Sequence, residues 1–335
     1  MNINDMPDDV LIRLLDTAAP GDVVRAKRLN KRFNALVETF NLGKPRVKDL
    51  HIESRVSDIS PTKIGRLRLG AARHGIKKRR TVVTMRKDRG AKQFERVDDP
   101  SCSTQAANEF VQESLKKVVL GDRLSFDGLT LDEDFYKMIT VKWNCLKNVT
   151  TLSMSLCHIR ISWTEFADLL SRMTIKHLYI DFCTFDPSLI SDKVLMALPH
   201  LESIQIQPRY PCFLTELTDQ TLLHWTNREA GVPKLIQFRN VCASRMSLEG
   251  VKSLLSKAIS TNAQKLDWDF GLLLEPARSD SVLLSFVLCP GWRTTVSDDF
   301  RSRRINLERQ GTLLQFQLPA PIPAENLSAA APVNV

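Results

Sequence analysis

This 335-residue chain has no apolar run near the eighteen or so residues that a membrane-spanning helix needs. Its opening residues carry Asp5, Asp8 and Asp9 and no long apolar stretch, so no secretory leader is expected and the thiols should stay reduced. The seven cysteines, at 102, 145, 157, 183, 212, 242 and 289, form no CxxC pair, and the six histidines form no HxxxH pair. That scatter predicts neither a disulfide framework nor a zinc site. The sequons at Asn148 and Asn326 should be silent inside a cell. A GxxxxGK[ST] phosphate loop, a GxGxxG fingerprint, a GxSxG elbow and an HExxH helix are all missing. Nothing in the motif content argues for catalysis, a cofactor or a metal. Cys157 and His158 are neighbours in sequence, which does not make them a nucleophile and base, and the carboxylates of Asp132, Glu133 and Asp134 read as caps or a solvated face.

What is present is a soluble composition with an uneven charge. The formal net charge is +9. Residues 44–96 hold seventeen Lys/Arg against five Asp/Glu, which leaves the remainder of the chain net negative. The segment includes two short strand-like patterns, Val47-x-x-Leu50-x-Ile52 and Ile64-x-x-Leu67-x-Leu69. Residues 73–97 follow, with ten basic residues against two acidic ones, and are expected to form a flexible, solvated loop. The run Lys77 to Arg80 also fits a nuclear-import signal or a phosphate-contacting patch. Phe94 is the one aromatic residue in 73–97, which gives little support to stacking on single-stranded nucleic acid.

The first forty residues read as short helices. Asp5 is placed to cap a helix with Pro7 in its first turn, and Asp8 and Asp9 suit the positive end of its dipole. Val10, Leu11, Leu14 and Leu15 then share one side. Ala18-Ala19-Pro20-Gly21 breaks the helix, and Asp22 is placed to cap the next. Val23, Leu29, Phe33, Leu36, Val37 and Phe40 follow at helical spacing, with room for an internal bend. A unit of this size is marginal as an isolated core, so part of its apolar surface should be completed by something else.

Further along, an internal repeat appears. Residues 149–159 and 175–185 both fit L-x-x-L-x-L-x-x-C-x-φ, where φ is apolar, with Cys157 and Cys183 in the same place. A third copy, Leu201-x-x-Ile204-x-Ile206, keeps the strand pattern without the cysteine. Looser echoes lie at Leu115-x-x-Val118-x-Leu120, Leu235-x-x-Phe238 and Ala263-x-x-Leu266-x-Trp268. Helix-like segments separate them, among them 162–173 and 188–198, and a further helix is expected near 104–117. The pattern resembles leucine-rich repeats, in which a strand, a turn and a helix stack on the next copy. An ordinary α/β domain with coincidentally spaced strands is the competing reading. The expected fold is thus α/β: a small all-α module at 1–43, a basic connecting region at 44–103, an irregular leucine-rich-repeat-like solenoid at 104–316 with a capping unit in 271–316, and a disordered tail at 317–335.

The opening module resembles an F-box. Met6-Pro7, Asp9-Val10-Leu11 and Leu14-Leu15 fall at the family's first positions, Asp22-Val23-Val24-Arg25-Ala26 at its middle, and Leu29-Asn30-Lys31-x-Phe33 at its end. Met6 stands where the family has leucine, Asn30 where it has cysteine, and Phe33 where it has tryptophan. With the repeats, the chain is similar to the F-box/leucine-rich-repeat class, including the large nematode set of F-box proteins. The resemblance implies a non-catalytic substrate receptor of a ubiquitin ligase, cytoplasmic or nuclear. Pro7, Val10, Leu11, Leu14, Leu15, Leu29 and Phe33 would contact a Skp-type adaptor or support that contact, with Leu36, Val37 and Phe40 as core. The adaptor would link the chain to a cullin–RING scaffold. A protein target would lie on a concave face carrying Lys176, His177, Tyr179, Asp181, Gln205, Gln207, Arg239 and Asp267. Two alternatives stay open: a nucleic-acid-associated protein using residues 44–96, and a leucine-rich scaffold without a ligase role.

Overall fold

The structure, a computed structural model, describes residues 5–40, 42–44, 46–59, 76–87, 90–98, 104–115, 118–142, 146–243, 245–261, 263, 265–273, 291–298, 302–309 and 311–319. The protein is mixed α/β and divides into two compact units: residues 1–129 with 133–150, and residues 130–132 with 151–335. The boundary expected at residue 104 lies inside the first unit.

Unit one opens with three short helices, α1 (Asp8–Thr17), α2 (Pro20–Ala26) and α3 (Lys31–Thr39). Asp5 caps nothing: α1 starts after Pro7, which occupies the cap position and offers no side-chain acceptor. Asp22 likewise falls within the first turn of α2, because Pro20 begins that helix from Ala19. The internal bend is real. It separates α2 from α3, and Asn30 caps α3 by accepting from the Phe33 N–H. Leu11, Leu15, Val23, Phe33, Leu36, Val37 and Leu42 form the module's own core. Phe40, expected there, is exposed.

The rest of unit one is a four-stranded sheet with two helices. Its strands are β1 (Arg46–Ile59), β2 (Ile76–Arg86), β3 (Ala91–Asp98) and β4 (Val119–Asp127), in the order β4-β1-β2-β3. Helix α4 (Thr104–Leu115) packs on β2 and β3, and α5 (Glu133–Lys142) packs on α4. β1 runs parallel to β4, with Leu50 opposite Leu124 and Ile52 opposite Phe126. β2 and β3 form an antiparallel hairpin, Arg80 opposite Val97 and Val83 opposite Phe94. The flexible loop expected at 73–97 is therefore corrected over its described residues. Thr81, Val82, Val83 and Met85 are buried, and the basic residues around this apolar centre are those of an ordered strand. The pattern at Ile64–Leu69 lies outside the described residues.

Unit two begins with β5 (Thr130–Leu131), β6 (Thr151–Ser155) and β7 (His158–Ile159), β5 pairing with β7. Then come α6 (Trp163–Ser171), β8 (His177–Cys183), α7 (Asp192–Met196), β9 (Ser203–Pro208), β10 (Cys212–Phe213), α8 (Asp219–Asn227), β11 (Leu235–Phe238), β12 (Val241–Cys242), α9 (Leu248–Ser260) and β13 (Asp267–Leu272). The last strands are β14 (Arg293–Asp298), β15 (Ser302–Arg309) and β16 (Thr312–Pro319). The sheet order is β6-β8-β9-β11-β13-β16-β15-β14. Its first six members are parallel, and β15 and β14 return antiparallel over the segment expected to cap the domain. β16 runs three residues past the expected end at 316, and residues 320–335 lie outside the described residues.

Register explains the repeat. Leu152, Leu178, Ile204, Ile236, Trp268 and Leu314 pair from strand to strand, and Met154, Ile180, Ile206 and Phe238 form the next rung; all are fully buried. Ile236 and Trp268 hold the first inward position, so the echo at 235–238 starts two residues late and the echo at 263–268 two residues early. A two-residue shift on a strand keeps the same face, so the facing residues survive the error. The echo at 115–120 is displaced further, because Leu124 and Phe126 are the residues that take the paired inward positions in β4.

Two devices recur beside the ladder. Leu156, Phe182 and Asn240 adopt left-handed backbone, φ 54°, 49° and 56°, and each is followed by a buried residue, Cys157, Cys183 and Val241. The Cys157 N–H donates to Cys183 Sγ at 3.4 Å, and Cys183 Sγ lies 3.4 Å from the Met154 carbonyl oxygen. The second device joins neighbouring helices. Asp192, in the first turn of α7, accepts from the N–H and hydroxyl of Thr218, the cap of α8 (2.9 and 2.5 Å). Asp219, in the first turn of α8, accepts from the N–H and hydroxyl of Ser247, the cap of α9 (2.8 and 2.6 Å). A Cβ on Gly250 would sit 2.5 Å from Asp219 Oδ1, so this clasp requires glycine there.

Asp219→Ala removes two charge-assisted bonds and leaves the Ser247 donors without an acceptor, which should cost about 2–4 kcal/mol. Urea denaturation should show a lower midpoint with an unchanged slope; an unchanged midpoint would mean that the clasp contributes nothing.

Candidate functional site

The helical module sorts the seven expected adaptor residues into two groups. Leu11, Leu15 and Phe33 are 0%, 3% and 1% exposed, so they are core beneath the surface and cannot touch a partner. Val10, Leu14 and Leu29 are 42%, 46% and 68% exposed, and Pro7 is exposed as well. On α1 the two pairs occupy adjacent stripes about 100° apart, Leu11 and Leu15 inward, Val10 and Leu14 outward. Val24 and Phe40, which the spacing did not nominate as contacts, are also half-exposed or more. Arg32 fixes the start of α1 from α3, donating to Asp8 Oδ1 (2.5 and 2.8 Å) and to the Met6 carbonyl (2.6 Å).

In unit two the residues between the inward positions line up in rows across the sheet. One row runs Ser153, Tyr179, Gln205, Gln237, Asp269 and Gln315. Beside it Thr151, His177, Ser203, Leu235 and Asp267 form a second row, and Ser155, Asp181 and Gln207 a third. Arg239 follows Gln207 in that third row, its N–H donating to the Ile206 carbonyl. His177, Tyr179, Asp181, Gln205, Gln207, Arg239 and Asp267 are thus brought to one face. His177 and Tyr179 stack with ring centroids 6.4 Å apart, and Gln237 Nε2 donates to Asp267 Oδ2 at 3.0 Å. Lys176 stands before the start of β8 with its ammonium 3.2 Å from Glu202, and that contact holds the Glu202 carboxyl below the usual carboxylate range. Gln237 and Asp269 were missed because the last two echoes were read two residues out of frame.

At the carboxyl ends of β11 and β13 the same face opens into a pocket of about 380 Å³. Arg239, Asn240, Asp269, Arg304 and Gln317 supply its polar lining, and Phe213, Phe238, Val241 and Leu272 its apolar lining. Gly271 shapes the floor: its φ is 65°, and a Cβ there would meet the Phe238 and Val241 carbonyl oxygens at 2.5 and 2.6 Å. Its N–H donates to Asp269 Oδ1 at 3.0 Å, while Arg304 stands 3.7 Å from Asp269 Oδ2. Burial pushes the Asp269 carboxyl above the usual range, opposed by the Gly271 N–H and by Arg304 and Arg239. Burial also raises Asp181, with Arg239 acting against it. Arg304 could not be found from the repeat, because β15 belongs to the antiparallel return.

The cysteines and the basic segment read differently. Cys157 is buried and its Sγ lies 3.2 Å from the Ser155 carbonyl oxygen, whereas His158 is exposed with Nδ1 2.6 Å from Thr184 Oγ1. The contact with Cys157 and burial raise the Cys183 thiol far above the ordinary range, and burial with the nearby Cys242 raises Cys212 to about 11. Such thiols stay protonated and are poor nucleophiles. In the β2–β3 hairpin and beside it, Arg80 pairs with Glu95, Arg86 with Asp49, and Arg96 with Asp98. Among the described residues, no group of three or more His, Cys, Asp or Glu could hold a metal ion, and no helix is long and apolar enough to cross a membrane. Comparison with protein families and with curated proteins finds no match to this chain.

The Asp269 shift sets a pH dependence. Its folded pKa is raised, so the charged form is disfavoured by folding; the penalty is absent below the unfolded pKa, grows as pH rises from there through the folded one, and is constant above it. Asp269→Asn keeps the acceptor for Gly271 without the charge. Urea midpoints should therefore shift in the variant's favour between pH 4 and pH 7; a shift in favour of the wild type would mean that Arg304 and Arg239 outweigh burial.

Proposed function

We propose that this protein is the substrate-recognition subunit of a Skp–cullin–F-box ubiquitin ligase, acting in the cytoplasm or nucleus. The observation that carries the reading is the helical module's surface. Seven residues close a core, yet Val10, Leu14, Val24, Leu29 and Phe40 remain outside it on a module of about forty residues. Four of these, Val10, Leu14, Val24 and Leu29, fall with Pro7 at positions where the sequence resembles an F-box. Apolar side chains in that number are what a docking helix needs and what an isolated surface avoids. The sequential parallel strands of unit two, each of the first five in register with the next, support the leucine-rich-repeat reading of the target domain. In this role the chain performs no bond chemistry. It raises the target's effective concentration beside the E2 enzyme that the cullin–RING scaffold recruits.

The alternative nucleic-acid reading draws less support, since Arg80, Arg86 and Arg96 of the basic segment are paired with carboxylates of the same unit. A salt-sensitive affinity for DNA or RNA would revive it.

The double variant Val10→Asp/Leu14→Asp changes exposed positions only. It should lose at least tenfold of the copurifying Skp adaptor while its thermal midpoint stays within about 2 °C of wild type. Leu11→Asp, by contrast, should unfold the module, since it buries an unpaired charge. Failure of the wild-type chain to copurify an adaptor, or equal capture by the double variant, would remove the reading.

A further inference from the structure

The pocket at the ends of β11 and β13 has an unbalanced charge. Three charged side chains line it, Arg239, Asp269 and Arg304, so one guanidinium of the lining is in excess. Arg304 is the cation beside Asp269, at 3.7 Å. The Arg239 side chain makes no hydrogen bond or ion pair among the described residues, although it influences Asp181 and Asp269 at longer range. Next to these charges stands Phe213 on β10, a large apolar side chain that is 57% exposed. The position is also favourable in general terms, because ligands of parallel sheets collect outside the carboxyl ends of the strands.

We propose that this pocket receives a single carboxylate borne by an extended peptide of a protein target, with an apolar neighbour of that residue lying against Phe213. One surplus guanidinium matches one carboxylate and not a doubly charged phosphate. Asp181 and Asp269, both near Arg239, oppose further negative charge. A fork-shaped guanidinium at a half-enclosed site gives short, directional bonds to a carboxylate. The polar row leading to the pocket, Gln205 and Gln237 ahead of Asp269, offers amide partners to a peptide backbone crossing the strands. The proposal rests on the reading that this face holds a protein target, and not on the adaptor contact.

The test uses the full chain, immobilised, and two pools of amide-capped hexapeptides randomised at five positions, one with Glu and one with Gln at the third. Mass spectrometry of retained peptide should show the Glu pool held at least tenfold above the Gln pool. That advantage should fall below twofold in Arg239→Gln and persist in Arg293→Gln, a control that removes an equal charge elsewhere. Equal retention of the two pools by wild type overturns the proposal, and so does an advantage that survives in Arg239→Gln. Capture of N-acetylphenylalanine with no capture of the Glu pool also overturns it, in favour of a small acid. Adaptor copurification, scored on the same preparations, separates the two readings. Lost peptide capture with the adaptor retained removes the pocket alone, whereas peptide capture without an adaptor removes the ligase reading and leaves the pocket.

Discussion

The pairing register of the parallel strands in unit two is the constraint on which its other features depend. Each strand offers two inward apolar residues, such as Leu178 and Ile180, and these meet their equivalents on both neighbours with no exposed surface left. Full burial of one such side chain is worth about 1.5–3 kcal/mol, and a one-residue slip would turn every inward residue of a strand outward. The ladder is therefore fixed by many equal contributions and not by any single contact. Its polar rows are a by-product of the same alternation: where Leu178 and Ile180 must point in, Tyr179 and Asp181 must point out.

Stacking the strands leaves their ends to be managed, and both recurring devices do so. The left-handed residues Leu156, Phe182 and Asn240 turn the chain so that the next side chain enters the interior. For a residue other than glycine this conformation costs roughly 1–2 kcal/mol, offset here by burial of the cysteine or valine that follows. The aspartate clasps work at the helix starts, where unpaired N–H groups and the dipole both favour a carboxylate. By accepting from the next helix's cap, Asp192 and Asp219 make each unit's cap depend on its predecessor. At Gly271 the same end-of-strand problem is solved by glycine, whose missing Cβ lets the Phe238 and Val241 carbonyl oxygens approach at the floor of the pocket.

In the helical module the economy is different. Its helices are of seven to ten residues, too short to persist alone, and they are held by Phe33 and the leucines around it, with Arg32 tying the first turn of α1 to α3. A core so small can close only one stripe of each helix. The apolar residues on the adjoining stripe are left to solvent or to a partner, and that residue of unsatisfied surface is what the functional reading takes up. The hairpin of β2 and β3 illustrates the reverse case, in which a segment that looks like free positive charge spends much of it on carboxylates of its own unit.

The sequence by itself determined the repeat strands of unit two and their faces. The 26-residue spacing located β6, β8 and β9, and Cys157 and Cys183 were legible as interior residues because a short side chain at that position can meet backbone groups at a bend. The outward positions of Tyr179, Gln205 and Arg239 followed from period-two alternation, which tolerates an error of two residues and so also placed Asp267 correctly. Tertiary structure decided what alternation and helical periodicity cannot. Four apolar residues of α1 looked equivalent in sequence, and only the packing of α3 made Leu11 and Leu15 core while leaving Val10 and Leu14 outside. The basic run at 73–97 reads as a loop because its charge outweighs its short apolar centre, and over its described residues pairing with β1 supplies the ordered neighbour beside which Val83 is buried. The pocket was beyond reach for the same reason: Arg239 follows β11, Asp269 lies on β13 and Arg304 on the antiparallel β15, and only the pairing of β11 with β13, of β13 with β16 and of β16 with β15 brings them together.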